Sequence, residues 1–217
     1  SSHRRQRQMC IRDSHMTAQE KLTANVVVDT NPATGTAVAE LSETNLEALP
    51  QMLAKAREAQ AIWAAKSFKE RARHIQMMRS YIVDRADDLA RTVSESNGKT
   101  LTDALATEVL PCALACKWYA KNAEHYLKER NRPAGSILFF NKRTHMLRVP
   151  LGVVGIISPW NYPLSIPFGE IVMALMAGNG VMLKVAAATP AVGRAIEQIV
   201  AAGELPEGLF QHIVGSG

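Results

Sequence analysis

Cysteine is scarce in this chain, aromatic residues are few, and no apolar run is long. Each shortage closes a class of function. The three cysteines among 217 residues make no disulfide framework: Cys10 stands alone, and Cys112 and Cys116 form one i, i+4 pair with no second Cys/His pair near it. Zinc needs more ligands than that, so Cys112 and Cys116 read as small buried residues on one helix face. The longest apolar stretch, around residues 171–180, is far short of a membrane span. With no export signal, the expected location is the reducing cytoplasm, and no membrane partner is expected.

Positive charge is also scarce once it is located. Of the formal net charge of +5, residues 1–15 (SSHRRQRQMCIRDSH) hold +3, with four arginines against one aspartate. The rest of the chain is near neutral, too weakly basic for a general nucleic-acid surface. The first segment has no apolar core, no small-residue cleavage site and no helical period. It reads as a foreign leader over 1–15, with Met16 as the natural start. What the chain does have is 47% hydrophobic residues against 21% charged ones, enough for one sizeable core or two small domains.

The first pattern after the start is VVVDTNPATGTAVAEL (26–41), two extended pieces around a turn at residues 31–35. The period then becomes helical: Leu46, Leu49, Leu53, Ala56 and Ala59 share one face of a helix running to about Ala65. Ser67 and Glu70 have capping-box spacing, and the helix they open turns Ile75, Met78, Ile82 and Leu89 inward and ends at Asn97-Gly98. Thr102 is placed to cap a third helix, reaching about Leu127 with a kink at Pro111. Trp63, Trp118 and Tyr119 on these helices are expected in the core. ILFFNKRTHMLRV (137–149) reads as a hairpin around an Asn-Lys-Arg turn.

From Leu151 the pattern changes again. GVVGIIS is a near-continuous apolar strand, expected to be covered on both faces. A helix over about Ser165–Met176 closes at Gly178, and GVMLK (180–184) is a second strand. Thr189-Pro190 opens a helix to about Ala202, with Thr189 as its cap. LFQHIV (209–214) is a third strand. This β-α-β-α-β order is half of a doubly wound α/β sheet, whose ligands bind beyond the carboxyl ends of the strands.

Three groups sit at those ends: Ser158–Asn161, Lys184 and Gly215–Gly217. Lys184 can reach a ribose or phosphate, or simply end a strand as a solvated charge. The terminal Gly-x-Gly is half of a dinucleotide fingerprint, or a plain turn. Asn161 lies in SPWNYP, between two aromatics and two prolines. Its amide is a neutral donor suited to an oxyanion, and Pro159 and Pro163 restrict the backbone around it; a turn residue is the other reading.

The segments GVVGIISPWNYPL, ALMAGNGVMLK, ATPAVG and GELPEGLFQHIVGSG, with TNPATG, the helix start at Lys69–Ala72 and SESNGKT upstream, resemble the amino-terminal portion of the NAD(P)-dependent aldehyde dehydrogenase superfamily across residues 26–217. The resemblance implies an α/β fold in which residues 16–136 form an N-terminal arm and the helical part of the cofactor domain. Residues 137–149 would form an oligomerisation hairpin, and 150–217 the first part of a Rossmann-like NAD(P)-binding sheet. It also implies oxidation of an aldehyde to a carboxylic acid, through a cysteine thiohemiacetal and thioester. Asn161 would be the side-chain half of the oxyanion hole. Ile157, Ser158, Pro159, Trp160, Asn161, Lys184, Ala187, Gly215 and Gly217 would border the cofactor, either NAD or NADP. No metal is implied, and a homodimer or homotetramer is.

Two departures qualify the likeness. The family's nucleophilic cysteine and general-base glutamate have no motif here, so the chain is expected to be an amino-terminal piece, inactive alone. The family's glutamate three residues after the lysine is Ala187. A catalytically silent dinucleotide-binding or structural protein on the same fold is the alternative.

Overall fold

The computed structural model describes residues 25–216 apart from 134, 137 and 139. The leader at 1–15, Met16, Ile137, Phe139 and Gly217 therefore lie outside the described residues.

Strands β1 (Val26–Thr30) and β2 (Ala37–Ser42) form an antiparallel pair. Their turn forms because Asn31 Oδ1 accepts from the Ala33 amide at 2.9 Å. A 3₁₀ turn at Leu46–Ala48 leads into α1 (Leu49–Ala64), which buries Ala56, Ala59 and Trp63. Helix α2 (Phe68–Asp84) opens on the expected capping box, with Glu70 accepting from the Ser67 amide at 2.8 Å. It buries Ile75, Met78 and Ile82, but Leu89 belongs to a separate helix, α3 (Ala86–Asn97). The single helix expected here breaks at Arg85, whose φ of −115° is not helical. Asp87 and Asp88 favour a new helix start, since acidic groups stabilise a first turn, and Arg85 pairs with Asp88 at 3.1 Å. Gly98 ends α3 at φ 82°, and a Cβ there would lie 2.8 Å from Pro32 Cγ, so both conformation and space require glycine.

The next cap is Thr100 rather than Thr102: the Thr100 hydroxyl accepts from the Asp103 amide at 3.1 Å and opens α4 (Leu101–Ala104). One π turn, Leu105–Val109, joins α4 to α5 (Leu110–Leu127). Pro111 falls in the first turn of α5, so a widened turn stands where a kink was expected. Cys112 and Cys116 are buried on α5, as expected of small core residues. Trp63 is buried too, its Nε1 donating to the Leu175 carbonyl at 2.8 Å. Trp118 is not in the core: it is 49% exposed, on the α5 face away from Cys112 and Cys116.

The hairpin also differs from expectation. Its strands are β3 (Arg130–Pro133) and β4 (Arg143–Met146), with Arg130 opposite Met146. Leu138 and Phe140 belong to the connection between them, and Arg143 lies in a strand instead of a turn. Strand β4 is exposed throughout, and Arg132 opposite it is exposed too, a setting that suits charged residues such as Arg132 and Arg143 better than it suits an apolar run.

The parallel sheet follows the expected order. β5 (Val153–Ile157), β6 (Gly180–Lys184) and β7 (Phe210–Ile213) lie side by side, joined by α6 (Ser165–Met176) and α7 (Pro190–Ala201). Helices α6 and α7 cover one face and α1 crosses the other. Cover on both faces does not extend to the strand ends: Ile157 is 82% exposed. Thr189 does not cap α7 either. The buried Asp29 carboxylate accepts from the Ala191 amide at 2.9 Å, and an anion is favoured over a hydroxyl at a helix amino terminus. No described helix is long and apolar enough to cross a membrane.

Candidate active site

Register places the strand ends together. Ile157 pairs with Lys184 and Lys184 with Ile213, so the three side chains stand in a row on one face. Two residues earlier Gly155 lies beside Met182 on that same face. These residues, the start of α1 (Leu49, Leu53) and the Val214–Ser216 turn enclose a cleft of about 960 Å³. Its walls are mostly apolar, with the Lys184 ammonium and, at the glycine turn, the Glu43 carboxylate, and a Cβ at Gly155 would meet nothing within 4 Å, so the sheet surface stays open there. The glycine turn is held from outside the sheet. The Val214 amide donates to Thr44 Oγ1 at 2.9 Å and the Ser216 amide to Glu43 Oε1 at 3.1 Å. A second cavity, about 410 Å³, lies by α7 and the start of β7; its lining of Glu197, Glu204 and Glu207 does not suit phosphate.

The segment after β5 is fixed by groups distant in sequence. Asn97 Nδ2 donates to the Trp160 carbonyl at 2.7 Å, and Lys99 Nζ donates to the Asn161 carbonyl at 2.7 Å. Lys99 also pairs with Glu108 and lies 4.0 Å from the centre of the Tyr162 ring. Glu108, fully buried on the π turn, uses its other oxygen at the start of α6, accepting from Leu164 N at 3.1 Å and Ser165 N at 2.8 Å. This carboxylate neutralises Lys99 and caps a helix that has no cap of its own. Asn161 enters the clamp through its carbonyl, leaving its side-chain amide out of it, on an exposed residue.

Of the residues singled out in the sequence, Ile157, Lys184 and Gly215 meet in the cleft. Ser158, Pro159, Trp160 and Asn161 form the adjoining turn, with the Ser158 amide donating to the Lys184 carbonyl at 3.0 Å. Ala187 lies in the turn before α7 and does not line the cleft. Sequence reasoning missed Asn97, Lys99 and Glu108 as site residues. The available signal was a lone glutamate in the apolar stretch ALATEVLPC. Cys112 and Cys116 are buried, and burial pushes both thiols up, Cys112 well above the ordinary range and Cys116 to about 12, which disfavours the thiolate that a nucleophile needs.

The fold of this chain is found in known proteins. The profile of the aldehyde dehydrogenase family matches residues 17–217. The chain belongs to the aldehyde dehydrogenase family. It is 34% identical to a Methylomonas protein named 4,4′-diapolycopene aldehyde oxidase over 78% of this chain and 32% of that one. Among solved structures, an E. coli NADP dependent enzyme superposes with a TM-score of 0.82 at 27% identity, over 89% of this chain and 39% of that one. A NAD-dependent benzaldehyde dehydrogenase from Corynebacterium glutamicum superposes with a TM-score of 0.80 at 26% identity, over 90% and 42%. The chain thus spans about a third to two-fifths of the length of these relatives.

Proposed function

We propose that the natural protein oxidises an aldehyde to a carboxylic acid with NAD⁺ or NADP⁺, and that Asn161 is the side-chain donor to the oxyanion formed when the aldehyde carbon is attacked by a thiolate. The observation that carries this reading is the clamped turn: an amide donor on a backbone held at Trp160, Asn161, Leu164 and Ser165, next to the cleft at the strand ends. A donor fixed before the reaction meets developing charge without reorganising, which is where such groups contribute most.

The residues present fit a nicotinamide cofactor. Lys184 stands where it can pair with a ribose or phosphate, Ile157 and Gly155 give a flat apolar wall, and the Val214–Ser216 turn closes the far side. NAD(P)⁺, when bound, accepts hydride from the substrate carbon. In this chain the wall orients it, Lys184 anchors it and Asn161 polarises the carbonyl. Ala187 stands in the turn after β6, outside the cleft lining, and carries no carboxylate that could reach over to a ribose hydroxyl or repel a 2′-phosphate, so NADP⁺ is expected to serve at least as well as NAD⁺. Relatives described as NADP dependent and as NAD-dependent both superpose on this chain, which supports either choice. We also propose self-association through the β3–β4 region, supported by Leu138, Phe140, Leu147 and Val149, each at least 66% exposed.

The test is NAD(P)H formation by the natural full-length protein with a panel of aldehydes and both cofactors. Turnover with NADP⁺ is expected, and Ala187→Glu should move preference toward NAD⁺ by about tenfold, the worth of a charged hydrogen bond to the ribose. No turnover with any aldehyde would contradict the reading.

A further inference from the structure

We propose that Lys99 and Glu108 are positioning residues for the oxyanion donor, acting on Asn161 through its backbone. The inference rests on the role just proposed for Asn161. The Lys99 ammonium has three donor directions and three neighbours: the Glu108 carboxylate, the Asn161 carbonyl at 2.7 Å and the face of Tyr162 at 4.0 Å. It therefore grips residue 161 directly and residue 162 by its ring. Glu108 grips the other end of the same turn at Leu164 and Ser165. Between those grips lies Pro163, with its φ fixed by its ring. Asn97 holds the residue before, at the Trp160 carbonyl.

The chemistry of the pair argues against two simpler roles. An ammonium already neutralised by a buried carboxylate is a poor anchor for a cofactor phosphate, and Lys99 does not line the cleft. A buried ion pair adds little net stability over apolar residues of the same volume, so two charges kept here are better accounted for by the geometry they fix. Glu108 sits on the one π turn among the described helices, the kind of local irregularity that re-aims a side chain near a functional site. A turn held at four backbone atoms by three side chains leaves the Asn161 side chain little besides its own rotamers to explore.

A double-mutant cycle tests this in the natural full-length protein, with single-turnover hydride transfer measured for Lys99→Met, Asn161→Ala and the double variant. Lys99→Met is expected to slow transfer about 100-fold, as a displacement of about 1 Å can. NAD(P)⁺ affinity should be unchanged, and the double variant no slower than Asn161→Ala alone. Lys99→Arg should recover most of the rate. Glu108→Gln keeps an acceptor for the two α6 amides but removes the charge facing Lys99, and should reproduce the Lys99→Met result. Losses that multiply in the double variant, or full activity in Lys99→Met, would overturn the clamp. Full activity in Asn161→Ala would overturn the oxyanion reading instead. The clamp is then decided by hydrogen exchange at the Leu164 and Ser165 amides, which Glu108→Ala, by removing their acceptor, should accelerate about tenfold or more. Unchanged exchange would overturn it.

Discussion

The turn from Ser158 to Leu164 and the β3–β4 region both put large side chains on the surface: Trp160 is 61% exposed and Phe140 85%. They are held in opposite ways. The first is pinned to the helical region by buried or half-buried charges, through contacts that cross more than fifty residues of sequence. The second is held by its own four-residue ladder, with an exposed Glu129–His145 pair at 2.8 Å beside it. Exposure alone therefore says little about role. Anchoring distinguishes a surface that must keep one geometry, as a reacting group requires, from one that a partner can complete.

Removing the buried carboxylate should break the first region most severely. Glu108→Ala leaves Lys99 without its counter-ion and the Leu164 and Ser165 amides without an acceptor, and is expected to cost about 3–5 kcal/mol in denaturant unfolding. A loss below 1 kcal/mol, within the range of an exposed pair, would show that the clamp contributes no more than a surface contact.

A local cap gives a smaller effect and a calibration. Ser67→Ala should cost about 1 kcal/mol. The Ser67 hydroxyl and amide hold the Glu70 carboxyl below its ordinary range. For a lowered acid, the stabilisation is complete above the unfolded-state value and is lost as pH falls through the folded one. The difference between Ser67→Ala and wild type should therefore narrow on the acid side of the carboxylate range, leaving the part due to the Glu70 amide's bond to the Ser67 hydroxyl, which does not titrate. Parallel curves down to that limit would mean the box contributes no proton-linked stability.

The smallest effect on the fold is expected at the second region. Phe140→Asp should leave unfolding free energy within about 0.5 kcal/mol of wild type, as surface changes do. Light scattering should nevertheless show a shift from oligomer to monomer. An unchanged assembly, or a wild type that is already monomeric, would remove the contrast between the two regions.

The sequence made local features legible and long-range ones not. The Ser67–Glu70 box, the Gly98 stop, the helix at Ser165–Met176 and the strand at Gly180–Lys184 depend on neighbours within one turn or one strand, and each was readable from spacing. The convergence of Ile157, Lys184 and Gly215 was also readable, because a parallel β-α-β unit brings strand ends to one edge. The bounds of helix α7 were readable but its cap was not, because the Asp29 carboxylate that accepts from Ala191 comes from 162 residues away and displaces Thr189 from the role. Glu108 was missed for the same reason: in sequence it is one charge in an apolar helix, and its partners are backbone amides 56 and 57 residues further on. Trp118 was assigned to the core from its residue type, while its side of α5 leaves it half exposed.

The central claim is that Asn161 is a preorganised donor to the reacting carbonyl oxygen. It is tested most directly by single-turnover hydride transfer in Asn161→Ala of the natural full-length protein, with cofactor affinity measured alongside. The account predicts a rate lower by about 10²–10³, the usual cost of removing one such donor, with NAD(P)⁺ binding unchanged. Hydride transfer at the wild-type rate would contradict it.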